Sequence, residues 1–190
     1  QVKVNGKRMK VSPVAGEYFR IERTWKNGDR VELVLPMHLT MRTWQVNKNS
    51  VSVNYGPLTL SLKIGEEFIR RDSRETAIGD SKWQKGADAE NWPSYEIHPT
   101  TAWNYALVLG EKDPLEGFEV VKKSWPSDNF PFTPGNVPLE VKAQGRRIPS
   151  WKIDKYGLCA VLPETDAPKS PQIENITLIP MGAARLRISA

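Results

Sequence analysis

Two Asn-Gly steps, Asn5-Gly6 and Asn27-Gly28, each lie between runs whose apolar residues recur at every second position. Asn-Gly takes up the positive φ angles of a type I′ turn, whose twist matches that of paired strands. Val2-Lys3-Val4 enters the first step, and Lys7 to Val11 leaves it. Before the second step Phe19, Ile21 and Trp25 share one parity, with Arg23 breaking the apolar face. After it Val31, Leu33 and Leu35 alternate with Glu32 and Val34, until Pro36 ends or edges the strand. A period of two selects strands over helices, so both steps are expected to turn hairpins.

The same texture continues along the chain. Val51 to Tyr55 and Leu58 to Leu62 alternate on either side of a Gly56-Pro57 bend. Further strands are expected at Trp103–Leu109, 117–121, 139–143, Trp151–Ile153, 158–162, 176–179 and 184–189. Two proline-rich stretches interrupt them, Pro126 to Pro138 and Pro163 to Pro171, and these suit long loops. Between Gly65 and Pro99 charges dominate, and Trp83 and Trp92 stand nearly alone. Arg70 to Ile78 admits a short helix with a poor apolar face. The stretch as a whole reads as a long connection with little regular structure. The expected fold class is all-β, as two antiparallel β-sandwich units over residues 1–64 and 100–190, joined by an irregular connection over 65–99. One continuous sandwich is the alternative. A chain that opens at Gln1 inside a strand pattern reads as a fragment, with the first unit truncated at its N-terminus.

Composition removes several function classes. Of 190 residues 39% are hydrophobic and 26% charged, as in ordinary globular domains. No apolar run reaches the roughly 18 residues of a membrane-spanning helix, and no membrane partner is expected. The net charge of +5 is scattered, without the basic stripe interleaved with aromatics that reads nucleic acid. General acid/base catalysis needs two carboxylates facing one substrate, and no pair is nominated. Asp29 sits by a turn, Glu32 and Glu140 fall on outward parities, and Glu66, Glu67, Glu164 and Asp166 lie beside loops. His38 and His98 with the single Cys159 fit no zinc spacing. Cys159 lies in an apolar run, where a buried, inert thiol is expected. No catalytic residue, metal site or cofactor is therefore assigned.

Seven Trp residues are the compositional oddity. Trp25, Trp103 and Trp151 sit within strand patterns and are expected to fill cores or corners. Trp44, Trp83, Trp92 and Trp125 have polar or proline-containing flanks, which makes them candidates for stacking on a sugar or packing against another domain.

Longer strings resemble a known family. Trp25-x-x-Gly28-Asp29-x-Val31-x-Leu33-x-Leu35-Pro36-Met37, preceded by Val4-Asn5-Gly6-Lys7 and followed by Val53-x-Tyr55-Gly56-Pro57-Leu58, resembles the region after the catalytic barrel in glycoside hydrolase family 127, the β-L-arabinofuranosidase-like group. Trp92-Pro93-x-Tyr95-Glu96-Ile97, Trp103-Asn104-Tyr105-x-Leu107 and the run from Ile176 to Ser189 are similar to it as well. The resemblance implies β-sandwich domains trailing an (α/α)6 barrel. The nucleophilic Cys, the zinc ligands and the acid/base Glu of such enzymes belong to that barrel, and none of those motifs matches a position here. It implies an accessory module that supports the barrel of the same polypeptide, with a homodimer and a plant-type glycan as further partners and a periplasmic or extracellular location. A carbohydrate-binding module using exposed Trp residues is the alternative.

Overall fold

The first Asn-Gly step forms the turn its sequence predicts. In the computed structural model, which describes residues 1–12, 14, 16–71, 90–91 and 93–187, Asn5 and Gly6 take φ values of 49° and 75°. This is the positive pair of a type I′ turn. It folds β1 (Val2–Val4) back on β2 (Lys7–Arg8), with Val4 opposite Lys7.

The second step departs from expectation. Gly28 is left-handed at φ 87° while Asn27 is not, and the Asp29 amide closes the turn on the Lys26 carbonyl at 3.1 Å. The strand that follows, β3 (Val31–Leu33), pairs with β1, and residues 19–25 form no strand. Side-chain chemistry accounts for the choice. Val2 and Val4 of β1 lie opposite Leu33 and Val31, whereas the 19–25 run is interrupted by Arg23, which pairs with Asp29 at 3.2 Å. Trp25 is thus not a core residue: it is about half exposed, with the Arg23 guanidinium 5.1 Å from its ring centroid.

These strands make a sheet of order β2-β1-β3 inside a compact unit that ends at His38. Its two turns are tied together by Asp29. One carboxylate oxygen accepts from the Asn5 amide at 2.7 Å and the other from the Lys26 backbone at 2.8 Å.

A second unit begins at Leu39. Its main sheet contains β4 (Leu39–Trp44), β5 (Ser50–Tyr55) and β6 (Leu58–Leu62), with β5 and β6 joined through the expected Gly56-Pro57 bend. Between these and the next members of that sheet, a separate antiparallel ribbon is formed by β7 (Glu66–Arg71) and β8 (Ser94–Pro99). The main sheet resumes with β9 (Tyr105–Leu107), β10 (Glu119–Lys122), β11 (Leu139–Arg147) and β12 (Glu174–Pro180). Its order is β10-β11-β12-β6-β5-β4, with β9 also on β11; every pairing is antiparallel, and the sheet curls into a half-barrel. The fold is all-β and sandwich-like, with one short 3-10 turn at Met181–Ala183 and no α-helix among the described residues.

The β6–β12 ladder sets Leu62 against Leu178 and Leu60 against Pro180. Residues 39–64, which the strand pattern groups with the N-terminus, thereby join the sheet built by residues beyond 100. The 65–99 stretch carries more regular structure than its composition suggests. In the ribbon Phe68 faces Ile97 across the ladder and meets Tyr95 edge-on at 6.3 Å. Arg70 and Arg71 end a strand here rather than starting a helix; the remainder of that expected helix, 72–78, lies outside the described residues.

The core gathers side chains from four strands of the main sheet. Val53, Leu60 and Leu62 pack with Val141, Ala143, Ile176 and Leu178, and Val141 is fully buried. Burying an aliphatic side chain of this size contributes about 1.5–3 kcal/mol. Trp103 and Trp151 complete the core edge to face, with centroids 5.2 Å apart at 71°, and the Trp151 indole N–H donates to the Ala160 carbonyl at 2.9 Å.

Three further expected strands do not form among the described residues. Trp151–Ile153 and 158–162 shrink to one bridge between Ile153 and Cys159, because Asp154 turns the chain by accepting from the Tyr156 and Leu158 amides. Cys159 is consequently exposed rather than buried. Residues 184–187 follow the 3-10 turn without forming a strand, and 188–190 lie outside the described residues.

Candidate functional site

Strand alternation builds the first candidate. In Ser50-Val51-Ser52-Val53-Asn54-Tyr55 the apolar parity supplies Val53 and Tyr55 to the buried face, so Ser50, Ser52 and Asn54 share the opposite one. The antiparallel register then sets Trp44 opposite Ser50, Arg42 opposite Ser52 and Thr59 opposite Asn54. These residues, with Asn47, line a depression of about 410 Å³. Its side chains are held in place. The Trp44 indole N–H donates to Ser52 Oγ at 3.1 Å, Asn47 Nδ2 to Ser50 Oγ at 3.0 Å, and Thr59 Oγ1 to Asn54 Oδ1 at 2.9 Å. The Arg42 guanidinium lies 3.7 Å from the Trp44 ring centroid, a close cation–π contact. Trp44 remains 40% exposed.

The second candidate is apolar. Trp125, Pro131, Phe132 and Pro138 from the proline-rich loop face Leu58, Pro180 and Met181 across a groove of about 370 Å³. The loop is fixed by its own polar groups. The Trp125 indole N–H donates to Asn129 Oδ1 at 2.7 Å, Asp128 accepts from the Phe130 amide, and Asn136 Nδ2 donates to the Phe130 carbonyl. Trp125 is thus held still while 60% exposed, and Phe130 and Phe132 meet edge to face beside it at 5.4 Å. Thr59 and Met181 line both depressions, so the two are neighbours. Trp44 and Trp125 are surface residues, as their flanks suggested, whereas Trp83 and Trp92 lie outside the described residues.

The ionisable clusters are built as structural ties. Glu140, expected on an outward face, is buried with its side chain 5% exposed. Both faces of β11 are covered here, and the carboxylate is clamped by Lys123 at 2.7 Å, Lys63 at 2.8 Å and Lys142 at 3.4 Å. Burial pushes its pKa up, but the ammonium groups of Lys123 and Lys63 outweigh that and hold it at about 2. Glu174 joins Arg147 at 2.8 Å and the Tyr105 hydroxyl at 2.7 Å. Burial and the bond to Glu174 raise the Tyr105 pKa, while Arg147 and Tyr105 lower that of Glu174. On the ribbon Glu96 accepts from Arg71 at 3.0 Å and meets His98 Nε2 at 3.1 Å, and both contacts lower its pKa. Each carboxylate is held in its ionised form by its partners, the opposite of an acid poised to give up a proton. Among the described residues no group of three His, Cys, Asp or Glu side chains is placed to hold a metal ion.

No curated protein and no solved structure matches the chain. Residues 1–37 match a family model described as "Beta-L-arabinofuranosidase, GH127 middle domain". The match includes the Val4–Lys7 turn and the Trp25–Met37 string, and it stops within one residue of the boundary at His38. That similarity covers the N-terminal unit, 37 of the 190 residues.

Proposed function

We propose that the chain is a non-catalytic accessory β-module of a glycoside hydrolase resembling the β-L-arabinofuranosidases, and that it supports an (α/α)6 catalytic barrel in the same polypeptide. The observation that carries this reading is the match of residues 1–37 to the family's middle domain. Surface chemistry supports it. In the N-terminal unit the large apolar side chains of Tyr18, Leu33, Leu35 and Trp25 are exposed. In the second unit the display of Trp125 and Phe132 along an apolar groove has the composition of an interface rather than of a solvated loop.

The test mixes the 190-residue chain with the separately produced barrel and follows co-migration by size-exclusion chromatography. The expected result is a complex that the Trp125→Ser, Phe132→Ser double variant weakens about tenfold, equivalent to about 1.4 kcal/mol. The chain alone is expected not to hydrolyse arabinofuranosides. A chain that ignores the barrel, that only self-associates, or that hydrolyses the glycoside alone contradicts the reading. A second reading, carbohydrate binding through an exposed Trp, is favoured at Trp44 by the polar cleft around it.

A further inference from the structure

The cleft beside Trp44 has a chemical bias that its size alone does not reveal. Its internal hydrogen bonds order the polar side chains: Ser52 Oγ accepts from the indole N–H, Ser50 Oγ from Asn47 Nδ2, and Asn54 Oδ1 from the Thr59 hydroxyl. Each of these oxygens keeps a second lone pair, so the row can accept as well as donate. Arg42 tips that balance towards donors. Its contact with Trp44 uses the ring face and no N–H, and among the described residues no carboxylate pairs with it. The lining itself contains no Asp or Glu.

We propose that this cleft binds a carboxylate-bearing saccharide, a uronosyl unit within a short oligosaccharide. Arg42 holds the carboxylate, in the planar two-donor geometry that a guanidinium presents. Ser50, Ser52 and Asn54 donate to ring and hydroxyl oxygens, and the exposed part of Trp44 covers an apolar C–H face of the sugar. The volume of about 410 Å³ falls in the range of small-ligand sites. The positive charge of Arg42 in a lining without Asp or Glu distinguishes this ligand from a neutral sugar, which offers the guanidinium no charge to meet. The indole and the length of the Ser50–Asn54 row distinguish it from a bare inorganic anion. The inference rests on the carbohydrate-binding reading of Trp44 and is independent of barrel docking.

The test titrates the 190-residue chain with trigalacturonate, with a neutral galactose trisaccharide and with inorganic phosphate, followed by calorimetry and Trp fluorescence. Trigalacturonate is expected to bind in the sub-millimolar range, at least about tenfold more tightly than either control. Arg42→Gln is expected to abolish that preference, and Trp44→Ala to weaken binding to a similar extent. Ser52→Ala, a smaller change on a half-buried position, is expected to weaken binding with no loss of the thermal transition. Equal binding of the neutral trisaccharide overturns the inference and leaves the carbohydrate reading standing. Binding of phosphate as tightly as trigalacturonate, or binding indifferent to Arg42→Gln, overturns it too. No heat with any saccharide at millimolar concentration overturns both.

Discussion

The two units reach order by different means. In the second, Val53, Leu60, Leu62, Val141, Ile176 and Leu178 from four strands form an apolar core with the Trp103–Trp151 pair. In the first, Val2 and Val4 are the buried apolar residues, while Leu33 and Leu35 on the neighbouring segment stay exposed. That unit is held instead by turn geometry at Asn5-Gly6 and by the polar knot at Asp29. Apolar burial is the dominant favourable term in folding, so the contrast separates a body built around a core from a sheet that leaves Leu33 and Leu35 exposed.

Substitutions can break the contrast. Trp151→Ala should have the largest effect, about 3–5 kcal/mol by the usual cost of removing a buried aromatic ring. Urea unfolding of both proteins followed by far-ultraviolet circular dichroism would measure it. A loss near zero would mean that the second core is not what holds that unit.

Acid should act next. The pKa of Glu140 is lowered to about 2 in the folded chain. Its stabilisation is therefore full above the unfolded carboxylate value and is lost as pH falls from about 5 towards 2. The lysine partners are 33–47% exposed, so solvent screening reduces the effect to the order of 1–2 kcal/mol. Glu140→Gln should flatten that part of the pH–stability curve of the second unit.

Gly6→Ala is expected to cost about 1 kcal/mol through its left-handed backbone. Nothing crowds the added methyl, so the loss should appear as faster amide exchange confined to the β1–β2 hairpin. Leu33→Ser, at a residue 61% exposed, should change stability by less than about 0.5 kcal/mol. A larger loss would show that the first unit has a core of its own.

Legibility in the sequence follows the range of the interaction. The Asn5-Gly6 hairpin and the β5–β6 hairpin are local, and alternation with turn chemistry exposes both. The strand β4 is hidden because Trp44 and Arg42 sit on its polar parity and blur the pattern. The ribbon β7–β8 is hidden by charges that pair across it, Arg71 with Glu96. No local signal announces that residues 60–62 pair with 178–180, or that β3 prefers β1 to residues 19–25. Parity placed Glu140 outside because it assumes one solvated face, and the lysine clamp shows that β11 has none there. The exposure of Trp44 and Trp125 follows their polar and proline-containing flanks. The polar row of Ser50, Ser52 and Asn54 was present in the same alternation that marked the core, but only the register of β4 and β6 brings Arg42 and Thr59 to it.

Hydrogen–deuterium exchange of the 190-residue chain, alone and with the catalytic barrel, tests the central claim most directly. Alone, the amides of β1–β3 should exchange far faster than those of β11 and β12. With the barrel, protection should rise at Val31–Leu33 and around Trp125–Phe132 and stay unchanged in β11 and β12. Unchanged exchange at both surfaces would contradict the account of this chain as a module that completes a larger enzyme.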